Sequence, residues 1–194
     1  MHKKVPFVSI LLAVSTLAAS FTVATVAKGS PWSGVPILEL RRYGGVDNSQ
    51  LASGEWWRLL TAQFVHVSQA HMLFNVITLL LLAVAIEKAA GSFRLMLLWL
   101  ISGLAGTYAS IYRVPPPYDI GSGASQAIMG LAGAAVVVLR RNTDSPRWLI
   151  VTLLITLING VALDLVFGGH LKPGHAVGFL VGLVFAILLV PKAN

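Results

Sequence analysis

Six apolar runs, at roughly 7–27, 69–86, 95–112, 124–139, 148–167 and 175–190, leave little of this chain for a water-soluble fold. Spanning a bilayer core of about 30 Å takes roughly 20 helical residues. Lipid admits only helices or closed barrels as spanning elements, and apolar–polar alternation of period two is absent, so the runs predict six helices. Composition agrees: of 194 residues, 56% are hydrophobic and only 11% charged, far less polar surface than a soluble domain of this length needs. The fourth and sixth runs are short and rich in small residues, which predicts positions inside the bundle. There is no cysteine, which excludes disulfide frameworks, thiolate metal sites and cysteine nucleophiles.

The net charge of +7 invites a nucleic-acid reading, but the basic residues are distributed as membrane orientation demands. With the N-terminus inside, Lys3, Lys4, Lys88, Arg94, Arg140, Arg141, Arg147 and Lys192 face the cytoplasm, against only Glu87 and Asp144. Lys28, Arg41, Arg42, Arg58, Arg113 and Lys172 fall outside, nearly balanced by Glu39, Asp47, Glu55, Asp119 and Asp164. The positive-inside bias is therefore met, and no nucleic acid is called for. Met1-His2-Lys3-Lys4 and the small residues Val23–Ala27 resemble a cleaved leader, but the apolar core between them is long for that role and reads as a retained first span. The polar stretch of about 28–67, with Pro31, Trp32, Gly34, Pro36, Gly44, Gly45, Gly54, Trp56 and Trp57, is too long for a turn. It predicts a structured outer loop between the first and second spans, partly in the interface where tryptophan prefers to sit. No repeat or linker divides residues 1–194, so they form one domain.

Two polar residues stand where lipid makes them costly. Ser125 lies in Gly121-Ser122-Gly123-Ala124-Ser125-Gln126, and His175 in Pro173-Gly174-His175-Ala176-Val177-Gly178, at the same end of two spans. Ionisable and polar groups at membrane depth are functional-site candidates by default. Gly174, Gly178 and Gly182 make an i, i+4 ridge on the second of these helices, and Ala132 and Gly133 share the face of Ser125 on the first. Small residues so spaced let membrane helices approach backbone to backbone. If those faces touch, hydroxyl and imidazole meet at one depth, as a nucleophile and its general base require. His71 and Asn75, i and i+4 at the head of the second span, are donors able to serve an oxyanion. Ser122 is a rival nucleophile but is read as a helix cap. His66 is read as fixing the loop, Glu87 as pairing with a basic residue at the inner boundary, and Asp164 and His170 as solvated or pairing groups, with tuning of His175 as the lesser alternative.

Gly54-Glu55-Trp56-Trp57-Arg58-Leu59-Leu60-Thr61, then His66, His71 and Asn75, then Glu87 with Gly91 resemble the rhomboid family of intramembrane serine proteases. Gly123-Ala124-Ser125 with Gly130 and Gly133, and His175 with Gly178 and Gly182, continue the likeness in order, over about residues 50–190. The resemblance implies an all-α, six-transmembrane-helix bundle that needs no metal or cofactor. It implies a Ser–His dyad without a required third acid, in which Ser125 is nucleophile and His175 base, assisted at the oxyanion by His71 and Asn75. Trp57 and Arg58 would belong to the outer loop. Substrates would be membrane proteins presenting a transmembrane segment from the bilayer, in a bacterial inner membrane with the site opening outward. Two positions depart from the family pattern. Gln126 stands where a glycine usually follows the serine, and Met129 where an aromatic commonly stacks on the histidine. Gln126 motivates an alternative, a catalytically inactive client-binding relative; a metal or solute transporter using His66, His71, His170, His175 and Asp164 is a further one.

Overall fold

In the computed structural model, residues 5–112, 114–116, 119–142, 144–168 and 172–192 are described, with only the backbone of Leu163, Phe167 and Gly168. Lys3, Lys4, Arg113 and His170 lie outside the described residues. The chain runs through α1 (Phe7–Lys28), three short helices α2 (Ile37–Leu40), α3 (Asn48–Ala52) and α4 (Arg58–Thr61), and a 3₁₀ turn at Ala62–Phe64. It continues through α5 (Gln69–Ala90), α6 (Ser92–Ile111), α7 (Ser125–Arg141), α8 (Arg147–Gly168) and α9 (Pro173–Leu189). Among the described residues, the only β pairing is an isolated bridge between Val46 and Gly121. Four helical stretches among the described residues, α1, α5, α6 and Arg147–Val166 of α8, are long and apolar enough to cross a membrane, whereas α7 and α9 have 17 residues each.

The boundaries follow local chemistry. Gly29, at φ 75°, ends α1 in the left-handed conformation that glycine adopts without a side-chain penalty. Gly91, at φ 91°, turns the chain directly from α5 into α6. Pro173 opens α9, where its missing N–H costs nothing and its fixed φ suits the first turn. At the far end of the α7–α9 pair, the Arg141 guanidinium binds the terminal carbonyls of α9, Ile187 O at 2.9 Å and Val190 O. A cation on these carbonyls also complements the helix dipole.

Helices α6, α7 and α9 meet through glycine. A methyl group on Gly182 would overlap the backbone of Gly130, and one on Gly178 the carbonyl oxygen of Gln126; Gly133 is closed in the same way by Phe179. A Cβ on Gly106 would lie 2.8 Å from the carbonyl oxygen of Gly174, and one on Gly174 would lie 2.6 Å from that of Gly106. α7 and α9 are therefore parallel and in backbone contact along the predicted ridge. Residues Gln126 to Ala135 of α7 are buried without interruption, as expected of an interior helix. The matching expectation for the sixth run is corrected. α9 buries only Gly174, His175, Gly178, Gly182 and Ala186, and exposes Leu180, Val184, Ile187 and Leu188. A glycine ridge makes a narrow seam, so the rest of the α9 circumference is left apolar and outward.

Glu87 also departs from expectation. Among the described residues its carboxylate pairs with no base; it accepts from the backbone N–H groups of Val8 at 3.1 Å and Ser9 at 2.8 Å, and from the hydroxyls of Ser9 and, at 2.7 Å, Ser92. It therefore caps the first turn of α1, where free N–H groups and the positive end of the helix dipole favour an anion. Spacing within α5 cannot show this, because the partner lies 78–79 residues away.

Gly182→Val should lower the melting temperature of the purified protein by several degrees, because overpacking typically costs about 1–3 kcal/mol and here meets backbone that cannot rotate away. Leu188→Ala, on the exposed side of the same helix, should leave it nearly unchanged in detergent.

Candidate active site

The head of α7 hangs on the 29–68 segment. Val46 and Gly121 exchange N–H···O bonds of 3.1 and 2.8 Å, and the Gly123 N–H donates to Ala62 O at 2.8 Å. Gly123 takes φ 94°, a conformation that a side chain at this point would resist, and so delivers Ala124 and Ser125 to the helix start. The expected cap is absent: the residue before α7 is Ala124, no side chain caps the helix, and Ser122 does not do so. The first N–H groups of α7 thus lack intrahelical partners at the point where Ser125 stands.

Ser125 Oγ lies 2.8 Å from His175 Nε2. The two side chains come from the first turns of α7 and α9, and the glycine seam below them sets their separation. Deeper in the same space, Asn75 Nδ2 lies 3.2 Å from His71 Nε2 and 3.0 Å from His66 Nε2. A small cavity of about 20 Å³, room for one water molecule, is lined by His71, Asn75, Ser125, Met129, Asn159 and His175 among others. All four residues singled out for chemistry, Ser125, His175, His71 and Asn75, therefore border one space, reached from α5, α7, α8 and α9.

His66 does more than fix a loop. Ser20 donates its hydroxyl proton to Phe64 O at 2.8 Å, so the 2.9 Å contact between Ser20 Oγ and His66 Nδ1 is donated by the ring. Nε2 is then the acceptor for the Asn75 amide and for the Ala124 N–H at 3.2 Å. One buried imidazole so ties α1, α5 and the head of α7 together. Burial, reinforced by the neighbouring His71, pushes its pKa down to about 3, and it stays neutral through the physiological range.

Two positions read differently from the sequence. Asp164, read mainly as a solvated or pairing group with tuning of His175 as the lesser alternative, is buried on α8 with Oδ2 2.8 Å from His175 Nδ1, and Oδ2 also accepts from the Lys172 N–H at 2.9 Å. Its position eleven residues before the histidine, on another helix, carries no periodic signal. Gln126 points its side chain between α6 and α9, into room left by Gly106 and Gly174, and does not line the cavity. Its Oε1 stays 3.4 Å from Ser125 Oγ, a second and longer acceptor for that hydroxyl. Met129 lies against Gly160 of α8, with Sδ 3.2 Å from where a Cβ would be. Among the described residues, no group of three His, Cys, Asp or Glu side chains is arranged to hold a metal ion.

A family model described as the Rhomboid domain matches residues 53–192. The chain belongs to the rhomboid family. The rhomboid protease GluP of Bacillus subtilis (strain 168) is 36% identical over 157 residues, covering 78% of this chain and 30% of that protein. The putative rhomboid protease YdcA of the same organism is 33% identical over 149 residues, 75% of this chain and 73% of the relative. The rhomboid protease AarA of Providencia stuartii is 29% identical over 167 residues, 72% and 58% respectively. The chain thus spans less than a third of the length of the first of these relatives. Rhomboids are intramembrane serine proteases, and this one is a multi-pass helical membrane protein.

His66 supplies a pH test. A histidine kept neutral when folded but titrating near 6.5 when unfolded binds fewer protons in the native state between those values. Its contribution is fully present above pH 6.5 and is lost as pH falls toward 3, at up to about 1.4 kcal/mol per pH unit. Between pH 6.5 and 4.5 the melting temperature of the wild-type rhomboid should fall more steeply than that of His66→Gln, which itself should start lower at neutral pH.

Proposed function

We propose that this rhomboid is an active intramembrane serine endopeptidase that cuts transmembrane segments of other membrane proteins. The observation that carries the reading is the 2.8 Å contact between Ser125 Oγ and His175 Nε2. His175 Nε2 takes the hydroxyl proton as Oγ bonds to the substrate carbonyl carbon, and the carbonyl oxygen becomes an oxyanion. The free N–H groups at the start of α7 provide donors for it, and His71 and Asn75 border the same space. Both Asn75 N–H groups are held by ring nitrogens at rest, so its service to the oxyanion requires the outer bond, to His71, to open. Collapse breaks the C–N bond while the imidazolium returns its proton to the departing amine. Water then hydrolyses the acyl ester by the same exchange of roles.

In this reading α1 and α5 to α9, the shorter α7 and α9 included, span a bacterial inner membrane with the N-terminus in the cytoplasm, and the site opens to the outer side. A substrate helix has to unwind locally to reach Ser125, so helix-breaking residues near the cut help. Gln126 gives the client-binding alternative its one supporting observation, since Oε1 competes for the Ser125 hydroxyl at 3.4 Å. Accommodation of its side chain between Gly106 and Gly174, outside the cavity, favours the active reading.

A fluorophosphonate probe should label the detergent-solubilised protein, and Ser125→Ala or His175→Ala should abolish labelling and cleavage of a reconstituted transmembrane substrate. Gln126→Gly should alter the wild-type labelling rate by less than about 10-fold, as expected for a weak neutral contact. Labelling that appears only in Gln126→Gly would establish the inactive client binder instead.

A further inference from the structure

The Ser–His pair that the family pattern implies has, in this chain, a third member. Asp164 is buried in α8, and its Oδ2 lies 2.8 Å from the ring nitrogen of His175 that faces away from Ser125. A carboxylate at this depth is costly unless donors surround it. Its donors are the His175 Nδ1–H and the Lys172 N–H, both on Oδ2. Oδ1 has no hydrogen-bond partner among the described residues and faces Lys172 Nζ at 4.0 Å. With Asp164 as a carboxylate and the ring neutral, one protonation pattern satisfies this geometry. Nδ1 carries the proton and gives it to the carboxylate, and Nε2 presents its lone pair to the Ser125 hydroxyl.

We infer that Asp164 is a positioning residue that makes this protein's centre a Ser125–His175–Asp164 triad. The inference rests on the protease reading above and adds to it. As Oγ attacks, the serine proton moves to Nε2 and the ring becomes a cation, whose Nδ1–H remains bonded to the carboxylate. The proton on Nε2 later leaves with the amine. The carboxylate thus selects the reactive tautomer, holds the ring plane toward Ser125, and offsets a positive charge that exists only after the proton has moved. That last contribution stabilises the transition state more than the ground state, so it acts on kcat.

Asp164 also accepts the Lys172 N–H at the entrance to α9, so a purely structural role predicts its own pattern. Asp164→Asn keeps the size and can still accept that N–H, but removes the charge. In the triad it should lower kcat on a reconstituted transmembrane substrate by roughly 10²- to 10⁴-fold, with KM and melting temperature close to wild type. Asp164→Glu should recover part of the loss. Nitrogen-15 NMR of the histidine-labelled wild type, with His175 assigned through His175→Gln, should show a protonated Nδ1 and a bare Nε2 at neutral pH, a readout independent of whether any Asp164 variant folds. Wild-type kcat in Asp164→Asn, or the opposite tautomer in the wild type, would reduce Asp164 to a helix cap and leave the protease reading standing. If the wild type neither cleaves nor is labelled at Ser125, the protease reading and the triad fall together.

Discussion

Helix α7 meets α9 backbone to backbone, with Gly182 closed against Gly130 and Gly178 against the Gln126 carbonyl. In lipid, helices gain nothing from burying apolar surface against one another, so association depends on close packing and on polar contacts between them. Glycine supplies the first by removing what would hold the helices apart. The separation of the two axes is then set by backbone atoms, which do not change rotamer. Ser125 and His175, one turn from these contacts, inherit that fixed separation, and their 2.8 Å contact follows from it. α6 braces the pair through Gly106 and Gly174.

Polar contacts then orient what glycine brings together. His66 joins Ser20 of α1, Asn75 of α5 and the peptide before Ser125, so the head of α7 is held from two sides. Asp164 does for His175 what His66 does for the serine peptide, from α8. Glu87 performs the same service at the opposite end of the bundle, where it holds the start of α1. Each of these groups would be expensive if left unpaired away from water, and each ties different helices together. The outward faces of α1, α8 and α9 carry many exposed large apolar side chains.

Elements whose signal is local were legible in the chain itself. The glycine ridge of α9 and the start of α7 beside Ser125 follow from spacing, breakers and apolar length. The convergence of Ser125 and His175 could be reasoned from the same ridge, because parallel helices with matched small faces must bring equal depths together. Readings that failed needed distances the sequence does not contain. Glu87 looked for a base but found the first turn of α1, and Ser122 looked like a cap but forms none. Asp164 looked like one more acid near a boundary, and only the folded chain brings it to the imidazole. The outward face of α9 was missed because small residues on one edge were read as a property of the whole helix.

An experimental structure of the fluorophosphonate-treated protein in lipid would test the central claim most directly. The account predicts phosphorus bonded to Ser125 Oγ, His175 Nε2 within hydrogen-bond reach of the adduct, and the backbones of α7 and α9 touching at Gly130 and Gly182. An adduct on Ser122 or another residue, or α7 and α9 parted so that His175 cannot reach Ser125, would contradict it.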